Sequence, residues 1–585
     1  MATTHADVVI VGLGASGALF AQELTEAGFH VLGIEKGPNY EAEDFWLKFD
    51  ELRYSTRCGI SPTMEKDPIT WRPNAGSAAK VLPWAVGPGS GNPLFLPPSL
   101  GVGGGSIHWA CWYWRQTEAD FRMRSVITER LGADKLPAGS RIVDWPVSYD
   151  DLEPYYARIE REIGVSGRAG NINGELQPGG NPFESPRSGP FPHPPMQPNA
   201  SNQVFVDACD TLGYHPFPVA AAILTEDVGE RKACTNCGFC RDYGCHVGAK
   251  GSTQDMAIPA ALATGNLDIL ADCRVQRINV DADGRARSVT YVDADGEVHE
   301  ASGDLIILSA YALENVRLLL ASGINRNGVV GKWFMIHNYH WFSGILPKDT
   351  MIYAGPAVGG WAIDDFNAPH ALDQSDGSFL WGTPIMYFAG DTQPIEGVMN
   401  MPPDVPRWGA EFKEWLRIGY RRRFGMYSQM ASLPVETNFL DLDPTMKDPW
   451  GEPALRITHD WGDQERAGGE WINAIKRKIA KEMGAVKTWE APILPPYHIT
   501  THEHGGHVMG DDPGDSVVNR YSQSHDIPNL FVVGGGSFPT LDGYNPTATI
   551  QALTLLAANY VKRETQNGGS LTRAVTRSRQ RMPVR

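Results

Sequence analysis

A strand–helix–strand pattern at the N-terminus places the strongest constraint on the fold. The apolar run 7–11 is followed by GLGASG, by a helical stretch to about residue 27, and by a second apolar run at 31–34. Short apolar runs of this kind are typical of strands buried in a parallel sheet. Glycines at this spacing let the chain turn tightly, let the backbone approach a pyrophosphate, and let helix and strand pack closely. The pattern predicts an α/β fold with a Rossmann-like nucleotide-binding domain.

Four residues of this unit are candidate nucleotide ligands: Gly12, Gly14, Gly17 and Glu35. Glu35 ends the second strand about 20 residues after the glycines, where an acidic side chain binds ribose hydroxyls. The glycine pattern alone does not separate NAD from FAD. A second glycine-rich stretch, SLGVGGGSIHWACWYW at 99–114, adds a histidine and several aromatic residues. That composition suits the lining of a flat ring system.

The C-terminal part contains the candidate catalytic residues. A strand at 529–533 runs into three glycines, and Asn545-Pro546-Thr547 then opens a long apolar helix. Proline is favoured at a helix start, and the N–H groups there can face an anion such as a reduced flavin. Three histidines precede this region within six residues: His502, His504 and His507.

These segments together resemble the glucose–methanol–choline (GMC) oxidoreductase family. The resemblance rests on the N-terminal glycine pattern and on the blocks GVGGGSIHW, ALENVRLLL, HEHGGHVMG and GYNPTATIQAL. The stretches CTNCGFCRDYGCHVGAKGS and NFLDLDPTMKDPWGEP are similar to flavoprotein (large) subunits of sugar dehydrogenases, gluconate 2-dehydrogenase in particular, and of glucoside 3-dehydrogenases. The resemblance implies the GMC fold: an FAD-binding domain and a substrate domain built on an antiparallel sheet.

The resemblance also implies roles for individual residues. The family's histidine block fits residues 502–510, which makes His502 the base, and the family's second catalytic residue falls on Asn545. His504 and His507 are expected to be loop or core histidines. In some relatives the histidine at the position of His108 is bonded to the flavin C8-methyl; the alternative is a non-covalent FAD beside it. The implied FAD contacts are Gly103, Gly104, Ser106, His108, Gly535, Asn545, Pro546 and Thr547.

The implied reaction is oxidation of a secondary hydroxyl of a sugar, glycoside or sugar acid to a ketone. Alcohol protons are weakly acidic, so loss of the hydride needs a base. His502 would accept the hydroxyl proton while the hydride moves to flavin N5, and Asn545 would hold the substrate oxygen.

Half of the eight cysteines lie within twelve residues: Cys234, Cys237, Cys240 and Cys245. Such a run predicts an iron–sulfur cluster first, structural zinc second and unligated thiols third. Zinc sites usually pair two separated C-x₂-C knuckles rather than one tight run. The resemblance implies a 3Fe-4S cluster, with 4Fe-4S as the alternative. The scattered Cys58, Cys111, Cys209 and Cys273 are expected to be free thiols.

Three functions follow from these features. The first is an FAD-dependent dehydrogenase that passes electrons through the cluster to a cytochrome c-type acceptor, in a complex with a small subunit. The second is an FAD oxidase of sugars or glycosides that uses O₂ and produces H₂O₂. A redox-silent FAD-binding subunit is the third, and the intact His502 and Asn545 argue against it.

The net charge of the chain and the composition of its segments indicate which partners it can bind and where in the cell it is expected. A net charge of −17 argues against nucleic acid as a partner, and no apolar run reaches the roughly 20 residues of a spanning helix. The N-terminus shows no export signal, so we expect a cytoplasmic protein, or a periplasmic one exported with a partner that carries a twin-arginine signal. The expected division is an FAD domain at 1–124, 202–325 and 500–565 with the cysteine insert at 234–245, a connecting segment at 125–201, a substrate domain at 326–499 and a basic, disordered tail at 566–585.

Overall fold

The computed structural model describes most of the chain and all of the predicted site residues. The described residues are 4–40, 44, 68–81, 100–240, 243–352, 359–375, 377–388, 401–494 and 501–566. Cys58 and tail residues 567–585 lie outside them.

The nucleotide-binding sheet is built on the predicted N-terminal unit. Thr4–Val11 pairs in parallel with Val31–Ile34 on one side and with Val298–Leu308 on the other. Leu530–Val532 adds a further parallel strand beside Val298–Leu308. The strands of the main path, in spatial order, are Leu267–Leu270, Val31–Ile34, Thr4–Val11, Val298–Leu308, Ala286–Val292 and Arg274–Val280.

This sheet is buried because helices cover it. The side chains of residues 8–11 are almost fully buried, as a continuous apolar run in a central parallel strand requires. Helix Gly17–Glu26 packs against Ala257–Ala263 and against Thr547–Gln566, which also contacts Tyr149–Ile163. The C-terminal helix therefore lies beside the first helix of the glycine-rich unit, and this brings both ends of the chain to one site.

The second large sheet is antiparallel and carries the other half of the site. Its long central strand, Met335–Ile345, pairs with Arg423–Ala431 along nine positions and with the short strand Glu503–His504 near its start. Helix Asp463–Glu482 packs on this sheet. The strands, in spatial order, are Lys487–Glu490, Met335–Ile345, Arg423–Ala431, Ile385–Phe388, Trp361–Ile363 and Phe217–Pro218.

Smaller elements complete the part of the chain that the structure describes. A four-stranded sheet and a two-stranded one contain Phe439–Lys447, Pro453–Thr458, Ile69–Arg72, Lys80–Val81, Asn171–Ile172 and Glu175–Leu176. The remaining α-helices are Met123–Leu131, Ala200–Thr211, Ala312–Ala321, Leu372–Ser375, Gly409–Glu414 and Tyr420–Arg422. None of the described helices combines the length and apolar composition needed to cross a bilayer.

The predicted fold class is confirmed: a Rossmann-like parallel sheet and an antiparallel sheet lie in one chain, in the GMC arrangement. The boundaries of the domains stay predictions.

Candidate active site

The first glycine turn admits no side chain at two of its positions. Gly12 has a φ of 87°, and a Cβ there would lie 2.7 Å from the backbone oxygen of Ser309. A Cβ on Gly17 would lie 1.9 Å from the backbone oxygen of Gly12. Gly17 starts the first helix, so this contact is the close helix–strand packing that the sequence predicted.

Gly14 borders an open cradle instead. A Cβ on Gly14 would meet only the Cα of Gly104, at 3.8 Å. The second glycine stretch covers this point, because Gly103 N donates to the carbonyl of Leu13 (2.8 Å) and Gly103 and Gly104 have φ values of 106° and 51°. Two glycine-lined segments at a helix N-terminus suit a pyrophosphate, so the residues present fit the FAD that this fold implies.

Glu35 ties the two glycine segments together. Its carboxylate accepts from the backbone N–H of Leu13 (3.0 Å), Gly37 (2.9 Å) and Gly101 (3.3 Å). Burial raises the pKa of Glu35, and these N–H donors oppose that shift. The sequence predicts Glu35 only as a ribose ligand. Its second role, connecting the two glycine segments by hydrogen bonds, depends on Gly101, which lies far along the chain. Ribose binding by Glu35 stays a prediction.

The other predicted FAD contacts lie at the edges of this space. Ser106 Oγ donates to the carbonyl of Gly103 (2.6 Å) and contacts Thr253 Oγ1 (3.0 Å). His108 is half-buried directly after the turn Gly104–Ile107. Gly535 begins the turn Gly535–Ser537, and Asn545-Pro546 leads into helix Thr547–Gln566. A covalent His108–flavin bond stays a prediction.

Replacing Gly14 with alanine should lower FAD affinity on the order of tenfold, about 1.4 kcal/mol, while the protein still folds. Among the described residues the new methyl meets no atom closer than 3.8 Å, and it enters the cradle. The measurement is the ratio of flavin to protein after dialysis, with the FAD dissociation constant from titration of the apoprotein. Gly189→Ala, which adds a methyl where nothing lies within 4 Å, is the matched control and should keep full FAD content.

His502 lies beside Asn545 at the second part of the site. It directly precedes the short strand Glu503–His504, which the long strand Met335–Ile345 holds by pairing. His502 Nε2 lies 3.4 Å from Asn545 Nδ2. Asn545 is 9% exposed, and its Oδ1 accepts from Gln429 Nε2 (3.4 Å). The structure thus brings the two predicted catalytic residues together, with the amide N–H of Asn545 directed at the imidazole nitrogen.

Two residues of the long strand contact the other imidazole nitrogen. His502 Nδ1 lies 2.9 Å from His337 Nδ1 and 3.1 Å from Tyr339 Oη. Burial and the neighbouring His337 and His504 hold the pKa of His502 well below its usual value. Burial lowers the pKa of His337 to about 4, partly opposed by its bond to the Asp542 carbonyl. Both imidazoles are therefore neutral at neutral pH.

Aromatic side chains form a wall beside His502. Tyr339 lies edge-on to His502 (5.7 Å between ring centroids) and edge-on to Tyr427 (5.4 Å). Tyr427 stacks on Trp112 (5.4 Å) and on Trp341 (4.9 Å). Sequence reasoning did not single out His337, Tyr339 or Gln429. The alternation of side chains along a strand could have indicated that these residues lie together, because residues 337, 339 and 341 share one face of the strand.

The two other histidines of the block are buried in the protein. His504 Nδ1 contacts the carbonyl of His502 (2.9 Å), and His507 Nε2 contacts Asn315 Nδ2 (3.3 Å). Glu503, directly before His504, is buried and bonded to the hydroxyl of Tyr311, and burial raises the pKa of Glu503 well above the usual value. These residues support the segment that carries His502.

The four clustered cysteines do not form a ligand set. Within the described part of the chain, no three His, Cys, Asp or Glu side chains are arranged to hold a metal ion. Metal binding needs thiolates, and burial raises the pKa of Cys240 well above its usual value. Nearby Lys250 donates to the carbonyls of Trp109 (3.1 Å), Cys240 (2.6 Å) and Tyr243 (2.8 Å). In this arrangement the thiols do not fit an iron–sulfur cluster.

Among the described cysteines, the scattered ones are free and buried, as predicted: Cys111, Cys209 and Cys273. Burial raises the pKa of the Cys273 thiol to about 11 and that of Cys111 to about 12.

A glycine-lined nucleotide cradle and a neutral histidine paired with an asparagine define a flavin-dependent oxidoreductase. GMC oxidoreductase family models match residues 191–339 and 434–554. The chain is 34% identical to a gluconate 2-dehydrogenase flavoprotein of Pantoea cypripedii, over 97% of this chain and 95% of that protein. It is 26% identical to a fructose dehydrogenase large subunit of Gluconobacter japonicus, over 97% and 99% of the two chains. The chain therefore belongs to the GMC oxidoreductase family, and it is an FAD-dependent enzyme.

Solved structures show the same fold. A formate oxidase of Aspergillus oryzae RIB40 superposes with a TM-score of 0.62 at 15% identity, covering 97% of this chain and all (100%) of that one. At this identity the likeness concerns the fold alone.

Proposed function

We propose that this enzyme oxidises a secondary hydroxyl of a sugar, glycoside or sugar acid to a ketone. The observation that carries the proposal is the pair His502 Nε2 and Asn545 Nδ2, 3.4 Å apart, which puts one acceptor and one donor next to each other. A hydroxyl group entering there can donate its proton to His502 and accept a hydrogen bond from Asn545.

The protein residues have separate tasks in this reaction. His502 Nε2 takes the hydroxyl proton, and it is neutral at working pH because its pKa is lowered. Asn545, oriented by Gln429, holds the substrate oxygen, and the aromatic wall excludes water from one side. FAD, when bound, supplies the acceptor for the hydride. The hydroxyl proton and the hydride together account for the two hydrogens lost from the alcohol.

The substrate class is supported by the relatives and by the aromatic wall. Gluconate and fructose appear in the names of the two relatives above, which align over nearly their full lengths. Tyr339 beside His502 belongs to an aromatic cluster with Tyr427 and Trp112, and apolar surroundings of this kind suit the C–H surfaces of a sugar.

The electron acceptor is a separate proposal. We infer a dehydrogenase that works with a small subunit and a cytochrome c-type acceptor, because the fructose dehydrogenase relative is a large subunit. The cysteine spacing and the family resemblance imply an iron–sulfur relay, but the described thiols do not support one, and no step of the hydride chemistry depends on it. The alternative acceptor is O₂, supported by a paromamine 6'-oxidase of Streptomyces fradiae that is 27% identical over 95% of this chain and 91% of that one.

Turnover on a panel of sugars, glycosides and sugar acids should be fast with an artificial dye and slow with O₂. The measurements are dye reduction, H₂O₂ formation, iron content and EPR spectra of the purified chain. Fast turnover with O₂ by a protein without iron would overturn the dehydrogenase and leave the hydride chemistry in place. Turnover on none of the sugars, by a protein whose flavin is intact, would overturn the substrate class.

A further inference from the structure

His337 is part of a directional chain of hydrogen bonds that passes through His502. At one end, His337 Nε2 lies 2.6 Å from the backbone carbonyl of Asp542. A carbonyl only accepts, so His337 Nε2 carries the hydrogen. Neutral imidazole has one N–H, which leaves His337 Nδ1 as an acceptor. His502 Nδ1, 2.9 Å away, must then be the donor.

The other end of the chain runs in the same direction. The hydroxyl of Tyr427 donates to Gln429 Oε1, and Gln429 Nε2 donates to Asn545 Oδ1 (3.4 Å). Asn545 Nδ2 then faces His502 Nε2, and an N–H group directed at this nitrogen needs a lone pair on it. A hydroxyl can donate or accept, so it is the Asp542 carbonyl that assigns the hydrogen of neutral His502 to Nδ1 and the lone pair to Nε2, and the amide end agrees with this assignment.

We propose that His337 is a positioning residue that holds His502 in the Nδ1–H tautomer, so that Nε2 is the base. This inference rests on the proposed function, because it concerns how the proposed base is kept ready. His337 is fully buried on the central strand, and the Asp542 carbonyl holds it in one orientation. When His502 has taken the substrate proton, its Nδ1–H still donates to His337, and this bond strengthens because the donor is then charged.

The low pKa of His337 is part of the same arrangement. A His337 protonated at both nitrogens would direct N–H against N–H at His502 and repel the cation formed in the reaction. Burial lowers the pKa of His337 to about 4, so this form is absent at neutral pH. The groups facing the His337–His502 pair are Tyr339 from the same strand, His504 from the adjacent strand and Asn545 before the C-terminal helix.

The test compares His337→Leu with His337→Asn, two side chains of similar size. Asparagine places an acceptor oxygen near the position of His337 Nδ1, and leucine places none. We expect kcat to fall about 10- to 100-fold in the leucine variant, the range for loss of a partner that orients a functional histidine. The asparagine variant should stay within about threefold of the wild type. KM and the flavin spectrum should change little in either variant.

Two results would overturn the inference: a leucine variant with wild-type kcat, or an asparagine variant that falls as far as the leucine one. If the leucine variant does not bind FAD, His337→Ala provides the test by addition of small molecules. Imidazole, which has an acceptor nitrogen, should raise its kcat, and pyrrole, which has only the N–H, should not. Equal effects of the two compounds would contradict the inference.

A His502→Ala variant in the same assays separates this inference from the proposed function. If His502→Ala keeps its activity, His502 is not the base, and the proposed function loses its catalytic residue. An inactive His502→Ala together with an unaffected His337→Leu would remove only the assignment of His337.

Discussion

His502→Ala is expected to lower kcat by about 10²- to 10⁴-fold, the contribution of a well-placed general base. Within the described part of the chain the side chain contacts His337, Tyr339 and Asn545, which belong to the site, so the variant should fold and keep its flavin. The measurement is the rate of flavin bleaching when reduced anaerobically by substrate, which isolates the hydride step from the electron acceptor.

The matched control is His299→Ala. His299 lies far from the site, on the antiparallel edge of the nucleotide-binding sheet, where it pairs with Asp293 (2.6 Å). It should retain wild-type kcat. A His502→Ala variant that bleaches its flavin at the wild-type rate would remove the proposed base.

The pH dependence of the same step has a definite sign. The reaction needs neutral His502, and the pKa of His502 is lowered from its usual value of about 6.5. The neutral form therefore persists as the pH falls through 6.5, and kcat should decline only under more acidic conditions. A decline centred at or above 6.5 would mean that the imidazole is more exposed during turnover than its surroundings indicate.

Much of the nucleotide site follows from sequence because the determinants are local. Gly12, Gly14 and Gly17 lie within six residues; the path of the backbone requires glycine at Gly12 and Gly17, and the cradle accounts for Gly14. The apolar runs around them indicate the strands directly, because a central parallel strand is buried on both faces. Asn545 is predicted at the start of the C-terminal helix for the same reason, because the signal, Pro546 followed by an apolar run, lies next to it in the sequence.

The partners of His502 could not be derived in this way. His337 contributes from a strand 165 residues earlier, and its register against Glu503–His504 comes from sheet pairing. Nothing near HNYHW in the sequence distinguishes a histidine that orients a base from one packed in a core. The cysteine run shows the opposite case. Its spacing predicts a cluster, yet the described thiols form no ligand set.

Glu160→Gln is expected to destabilise the protein by about 3–5 kcal/mol, the cost of leaving buried charge unpaired. Glu160 lies on helix Tyr149–Ile163 and binds two arginines, each through two hydrogen bonds. Arg115 contacts it at 2.8 Å through both Nε and Nη2, and Arg187 at 3.3 and 2.5 Å. The three side chains are 7%, 2% and 1% exposed for Arg115, Glu160 and Arg187. Glutamine leaves Arg187 buried without the carboxylate it binds, and it leaves Arg115 with the carboxylate of Glu153 (3.1 Å).

The loss of stability in Glu160→Gln should affect segments that are distant in sequence, because Glu160 connects them through Arg115 and Arg187. Arg115 follows the second glycine stretch, and Arg187 belongs to the loop between strand Glu175–Leu176 and helix Ala200–Thr211, where its guanidinium lies 3.7 Å from the ring centroid of Phe191. We therefore expect Glu160→Gln to lower the urea midpoint of unfolding and to expose the loop to proteolysis. Asp373→Asn removes an exposed partner of Arg130 (44% and 58% exposed) and should cost less than about 1 kcal/mol.

Acid should erase the difference between Glu160→Gln and the wild type. Burial alone would raise the pKa of Glu160, but Arg115 and Arg187 outweigh it and hold the pKa below its usual value. A carboxyl whose pKa is lowered by folding contributes stability above its unfolded pKa, about 4.3, and loses it as the pH falls through the folded value. The two proteins should differ fully at pH 7 and converge in stability well below pH 4. A difference that stays constant down to that range would show that the glutamine acts through packing and not through the lost charge.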